Sequence, residues 1–235
     1  MSHHKILSAA AVAVLAMALG LAAGGGCAQL EQAGPAATVP ASNVPATYKG
    51  TPWEGKPQVI PGQVWAAYYD VGGNGVAYSN QDTKNHGSGE LNRGPEPKNN
   101  FRKDEGISIS YTKFDFDKWG VDGNHLVTDE YYMGWTSAGE SVNCTVDVKE
   151  AGTYVINLKA SANNPGAQVS FTVMGGPTTG PLDIEKTGYY HTWKMYNNIA
   201  ELKLKKGLNV ITFKIEKEGN MNIMWFEFVP KGATK

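Results

Sequence analysis

The chain has 235 residues, enough for one domain behind a leader or for two small domains. Its formal net charge is -1 and charged residues make up 18%, with no long basic run, which leaves a nucleic-acid partner without electrostatic footing. Twenty-eight glycines and 10% aromatic residues favour an all-β protein with long, shaped loops over a helical one, and a nearly neutral surface suits a neutral ligand such as a polysaccharide.

Residues 1–27 read as a secretory signal peptide. A short polar, basic start is followed by an apolar run through residue 23, then by Gly24-Gly25-Gly26-Cys27. The run is also about as long as a membrane span, but its place at the start and its small-residue end favour a cleaved signal. A Cys directly after small residues resembles the lipobox of bacterial lipoproteins, in which that Cys is acylated. Gly24 stands where that motif usually has Leu, so Cys27 is a candidate lipidation site with simple cleavage as the alternative. Either route places the chain outside the cell or on the envelope. The only other cysteine is Cys144, so no intrachain disulfide is expected once Cys27 is used or removed.

Residues 28–55 are rich in Pro, Ala, Thr and Ser without an apolar period and read as a flexible linker. Residues 56–232 then read as one domain of short alternating runs divided by Gly, Asn, Asp and Pro. The clearest strand is residues 141–148, with Val142, Cys144, Val146 and Val148 on one face. Tyr154, Ile156 and Leu158 alternate next, then Val169, Phe171 and Val173. Residues 202–215 read as a hairpin turning at Lys205-Lys206-Gly207, and a last strand covers 222–229. The fold class predicted is an all-β jelly-roll β-sandwich of two antiparallel sheets. Residues 80–104, nearly devoid of apolar side chains, form a long loop of the kind that is usually functional or mobile.

Several blocks, taken in order, carry a resemblance. They are Pro61-Gly62-Gln63-Val64-Trp65-Ala66-Ala67-Tyr68-Tyr69-Asp70, Gly72-Gly73-Asn74-Gly75, Phe101-Arg102-Lys103-Asp104-Glu105-Gly106-Ile107, Met133-Gly134-Trp135-Thr136-Ser137-Ala138-Gly139-Glu140, Thr187-Gly188-Tyr189-Tyr190-His191-Thr192-Trp193 and Asn220-Met221-Asn222-Ile223-Met224-Trp225. The ordered set resembles carbohydrate-binding module family 6 across residues 57–229. The resemblance implies non-catalytic binding of a polysaccharide or oligosaccharide in a cleft among the loops at one edge. There two aromatic rings flank a sugar and an Asn opening the last strand hydrogen-bonds its hydroxyls. These roles fall on Trp135, Tyr190 and Asn222. Flat rings cover the apolar C–H face of a pyranose, and an amide offers its rim both donors and acceptors. A ring burying about 100 Å² yields roughly 2.5 kcal/mol, and after ordering costs a Kd of about 0.1–1 mM is reasonable. The bland readings are that Trp135 is core at a strand end, that Tyr189 or His191 faces out in place of Tyr190, and that Asn222 caps a strand. Trp193 and Trp225 read as core.

The sequence also departs from the family. The structural calcium implied by the resemblance uses two glutamates in the first strand and often an acid near the end of the last. Trp65, Ala67 and Val229 stand there, and none has a side-chain oxygen, so the ion is expected to be absent. Asp115, Asp117 and Asp122, with Gly120, hint at a calcium loop, but Trp119 and Leu126 occupy ligand positions and a solvated turn is the better reading. No metal-ligand spacing and no nucleophile motif such as Gly-x-Ser-x-Gly appear. A lyase-like enzyme using Tyr190 and His191 is one alternative, and a structural surface domain with a decayed sugar site is another. Such modules usually accompany a catalytic domain, so a separate glycan-degrading enzyme is an expected partner.

Overall fold

The structure, a computed structural model, describes residues 40–92, 96–113 and 129–233. The chain divides into two units, residues 1–38 and 39–235, and the described residues all belong to the second. Cys27 and the Asp115, Asp117 and Asp122 loop lie outside the described residues. Among those described, the strands are β1 (Gln58–Ile60), β2 (Gly62–Trp65), β3 (Tyr78–Ser79), β4 (Ile109–Tyr111), β5 (Tyr131–Met133), β6 (Ser141–Val148), β7 (Gly152–Ala162), β8 (Ala167–Val173), β9 (Leu182–Ile184), β10 (Lys194–Leu204), β11 (Gly207–Lys217) and β12 (Met221–Pro230). They form two sheets, ordered β1-β6-β11-β8-β9 with β3 also on β6, and β10-β7-β12-β5-β4 with β2 also on β12.

The predicted all-β sandwich is what these strands build, and period-two alternation is why. Val142, Cys144, Val146 and Val148 of β6, Ile211, Phe213 and Ile215 of β11 and Val169 and Phe171 of β8 are buried from one sheet. Tyr154, Ile156, Leu158, Phe226 and Phe228 are buried from the other. Phe171, Phe213 and Phe226 meet between the sheets with ring centroids 5.1–5.6 Å apart. Cys144 is a free, buried thiol whose pKa burial pushes up.

Four sequence expectations are corrected. First, one strand pair is parallel: β1 runs alongside β6, with Gln58 opposite Val146. A long connection separates the two strands, so no hairpin constrains their direction. Second, residues 202–215 are not a hairpin. β10 pairs with β7, whereas β11 pairs with β6 and β8, so the chain crosses from one sheet to the other at Lys205-Lys206-Gly207. Alternation reports which side chains face inward and not which strand is the neighbour.

Third, the linker does not run to residue 55, because residues 40–55 pack on the domain. Leu208 N–H donates to the Ala41 carbonyl and Asn43 N–H to the Leu208 carbonyl. Gly207, at φ 97°, lies so close that an added Cβ would sit 2.0 Å from that Ala41 oxygen. The Tyr48 hydroxyl donates to the buried Asp70 carboxylate at 2.6 Å, which also accepts the N–H and hydroxyl of Thr145. Burial, aided by Asp70, keeps the proton on the Tyr48 phenol. Apolar periodicity does not reveal a segment attached mainly by polar contacts.

Fourth, of the two tryptophans read as core, Trp193 is fully buried as expected, but Trp225 is only half-buried. Trp193 is buried with Tyr132 and Met224 in a second cluster, on which Trp65 and Trp225 pack half-buried. A bulge in β12 between Ile223 and Trp225 produces this second layer. Before it Met221 and Ile223 face the core; after it Phe226 and Phe228 do, leaving Asn222 and Met224 on the other face.

Candidate functional site

The outward face of the second sheet, at one end, is the floor of a cavity of about 480 Å³, inside the range of roughly 300–1,000 Å³ common for small-ligand sites. The floor follows from alternation. Tyr111 and Ile109 of β4 are core, so Ser110 faces outward; Tyr131 and Met133 of β5 are core, so Tyr132 does. Ser110 lies opposite Tyr132, and the β12 register sets Asn222 beside Ser161 of β7. Ser110, Tyr132 and Asn222 all line the cavity.

Trp135, Tyr190 and Asn222, the three residues assigned from sequence, all line this one cavity. Trp135 and Tyr190 are 43% and 39% exposed, large apolar rings held open to solvent, whereas Asn222 is 5% exposed. His191 also lines the cavity, and Tyr189 lies beside it, tilted against both Tyr190 and His191 at 6.2 and 5.6 Å.

Trp135 adopts a left-handed backbone at φ 51°, as does Asn220 at φ 58°. For a bulky residue this is strained, of order 1–3 kcal/mol, and persists only where the surroundings over-determine it. Here they do. The Thr136 hydroxyl donates to Met221 O and accepts Met221 N–H, while Asn220 N–H donates to Thr136 O. Gly219 lies against this turn so tightly that a Cβ would stand 1.8 Å from Thr136 O. Gly134, facing Asn222, has similarly little room, since its Cβ would meet Asn222 Oδ1 at 2.8 Å. The Asn222 amide donates to the Tyr190 carbonyl at 2.6 Å, and the Ser161 hydroxyl donates to the same oxygen. Asn222 therefore holds the tyrosine segment with Nδ2.

The wall comes from the long polar segment, which is anchored along its described length. A single wide turn at Gly87–Leu91 brings Leu91, 57% exposed, and Asn92 to the cavity. Asn85 Oδ1 accepts three backbone N–H groups, from Gly87, Ser88 and Ile109. Asn92 Oδ1 accepts the Ser110 hydroxyl at 2.8 Å while its amide reaches Lys98 O and Ile109 O. His86 bridges Glu90 and Asp82 at 2.8 Å each, and those hydrogen bonds raise its pKa. Farther along, the Arg102 guanidinium is buried. It donates to the carbonyls of Tyr69 and Asp70 and to Glu105, and lies 3.4 Å over the Tyr69 ring.

None of the described residues lining the cavity is acidic; Lys113 and His191 are its titratable groups besides the tyrosines. Lys113 Nζ donates to Ser110 Oγ and Tyr111 O and lies 4.0 Å over the Tyr111 ring. Leu91, Asn92, Ser110, Lys113, Tyr132 and Asn220 were not singled out from sequence. Asn220 stands in the same block as Asn222, but Leu91 and Asn92 sit in a loop without a motif and reach the site only through tertiary hydrogen bonds.

The profile of the family described as Carbohydrate binding module (family 6) matches residues 114–230. Solved structures similar to the chain include a β-1,3-glucan-binding family 6 module from Bacillus halodurans, 14% identical, covering 74% of this chain and 98% of that one at TM-score 0.47. A family 6 module from Clostridium stercorarium, in complex with cellobiose, is 13% identical over 75% and 99% at TM-score 0.46. A family 6 module of Cellvibrio mixtus lichenase 5A, in complex with cellotriose, is 21% identical over 55% and 88% at TM-score 0.42. No curated protein matches the chain. Trp135, Tyr190 and Asn222 fall inside the matched range, whereas Leu91, Asn92, Ser110 and Lys113 precede it. Through residues 114–230, the chain belongs to carbohydrate-binding module family 6, a family of non-catalytic sugar-binding domains.

Proposed function

We propose that the cavity holds a sugar ring of a polysaccharide or oligosaccharide, with Trp135 and Tyr190 against its apolar faces and Asn222 Oδ1 accepting a hydroxyl. The observation that carries this reading is the convergence of two solvent-open rings and a buried amide on one cavity of fitting size. Rings cover the C–H face, and the amide reads the rim. Titration against soluble glucan, xylan and agar oligosaccharides tests it. Saturable binding with a Kd of about 0.1–1 mM is expected for at least one ligand, and its loss in Tyr190→Ala. No binding to any of them overturns the reading.

A second reading, β-elimination by a lyase, draws on Tyr190, His191 and Lys113 lining the same cavity. Family membership favours binding without chemistry, and no unsaturated product is expected from the same panel. The apolar leader and Cys27 support a module tethered at the cell envelope, holding glycan for a separate degrading enzyme. None of the described helices is long and apolar enough to cross a membrane.

The positions that resemble the family's calcium ligands do not fit the ion. Trp65, Ala67 and Val229 lack side-chain oxygens, and the Trp65 carbonyl already accepts Gln58 Nε2. The domain therefore folds without this calcium in our reading. Its melting temperature should be the same with calcium and with chelator, and a clear rise with calcium overturns this.

A further inference from the structure

We propose that Glu140 is a positioning residue of the sugar site, its buried carboxyl closing the turn that presents Trp135 and keeping that ring in register with Asn222. The inference rests on the reading of the cavity as the sugar site. Glu140 touches no part of the cavity itself; it lies at the far end of the turn that Trp135 begins.

Glu140 is 2% exposed. Its Oε2 accepts the Ser137 N–H at 3.0 Å, and its own N–H donates to the Ser137 carbonyl at 3.1 Å, so side chain and backbone close the turn reciprocally. Its Oε1 is buried without a hydrogen-bond partner. Gly139 N–H donates to Ile215 O and Ile215 N–H to Glu140 O, which fastens this end of the turn to β11. The other end is fastened to β12 by the Thr136 hydrogen bonds to Asn220 and Met221. A turn held at both ends and closed in the middle by one carboxyl can keep Trp135 at a strained φ, and a fault in that closure has a short path to the ring.

The protonation state decides whether the closure holds. A carboxylate in this position has one accepting contact and one bare oxygen in a dry site, which is costly, whereas the neutral acid is tolerated. Burial accordingly pushes the Glu140 carboxyl up to about 8 from an ordinary 4.5, with the Ser137 N–H opposing the rise and Asp82 adding to it. Asp82 is the charged group that acts on it from the wall segment, and it is itself bonded to His86. On β11, Lys214 and Glu216 flank Ile215 and pair with each other at 2.6 Å. A carboxyl whose folded value is raised contributes stability that is complete below 4.5 and lost as pH climbs toward about 8. Above that, ionised Glu140 draws in water or swings out, and the Trp135 turn loosens.

The test is a pair of measurements on the whole domain, wild type and Glu140→Gln. Glycan affinity for the best ligand of the panel is measured at about pH 6 and about pH 9, where wild type should lose roughly tenfold and Glu140→Gln should lose little, because an amide does not ionise. His191 lines the same cavity in both proteins, so the difference between them isolates Glu140. In parallel, the Trp135 indole N–H resonance, assigned with Trp135→Phe, is followed against pH without ligand. A shift centred near 8 in wild type and absent in Glu140→Gln supports the proposal. Equal affinity at both pH values in wild type, or an indole resonance that does not titrate, overturns it while leaving sugar binding intact. If no glycan binds at either pH, the sugar reading fails, and the indole titration still decides what Glu140 does. Should Glu140→Gln fold poorly, the wild-type indole titration alone supports or overturns the proposal.

Discussion

Trp135→Ala should abolish most of the glycan affinity and leave the fold standing. The side chain is 43% exposed and belongs to neither buried cluster, so its removal opens no cavity in the core. What it removes is a platform. A ring that buries about 100 Å² against a pyranose is worth roughly 2.5 kcal/mol, so the affinity should fall roughly 70-fold, into the range where retention by a glycan gel is no longer visible. The stability change should stay within about 1 kcal/mol, as for other surface truncations. Isothermal titration beside a thermal melt checks both halves. Undiminished binding in Trp135→Ala places the sugar elsewhere on the domain, and a collapsed melt reassigns the ring to structure.

Gly219→Ala should do the reverse, damaging the fold and the site together. The added methyl would sit 1.8 Å from Thr136 O, 2.6 Å from Thr136 C and 2.7 Å from Ser137 Cα, all backbone atoms that cannot step aside as a flexible side chain does. Relief requires the Trp135 turn and the start of β12 to part, which breaks the Thr136 bonds to Asn220 and Met221. Overpacking of this kind costs about 3 kcal/mol, and here the displaced segments carry Trp135 on one side and Asn220 and Asn222 on the other. Denaturant unfolding should show the lost stability, and the same protein should lose glycan binding at temperatures where it remains folded. Gly152→Ala is the matched control. Its Cβ meets nothing closer than 4.0 Å and its φ is not left-handed, so stability should be unchanged or higher by about 0.5 kcal/mol. A Gly219→Ala protein as stable as the control shows that this close approach is dispensable.

Much of the fold was legible in local pattern. Val142, Cys144, Val146 and Val148 alternate so cleanly that β6 was legible to the residue, and the strands around Ile156, Phe171 and Phe226 were legible in outline. Trp135, Tyr190 and Asn222 were assigned through blocks of sequence whose order resembles a family, and the sandwich brings all three to one cavity. Pairing was less legible. β10 and β11 look like a hairpin because both alternate about a short glycine turn, yet an inward-facing stripe is the same whether the next strand lies beside it or across the core. The strap of residues 40–55 was illegible for a different reason. Tyr48 to Asp70 and Ala41 to Leu208 are polar contacts far apart in sequence, and no periodicity reports them.

The lasting division is between the platform and its setting. By itself the sequence determined an all-β chain of low charge and its inward-facing stripes, which are properties of residue type and spacing, and it holds ordered blocks that resemble a family of sugar-binding modules. The tertiary structure decided the rest. A one-residue bulge in β12 turns Asn222 away from the core and toward Tyr190. Hydrogen bonds from Asn85 and Asn92 bring a motif-free loop up to wall the cavity with Leu91. Glu140 is sealed beneath the Trp135 turn, where its charge state matters. Each depends on where one strand places another's neighbours in space, and that information is absent from any short window of the chain.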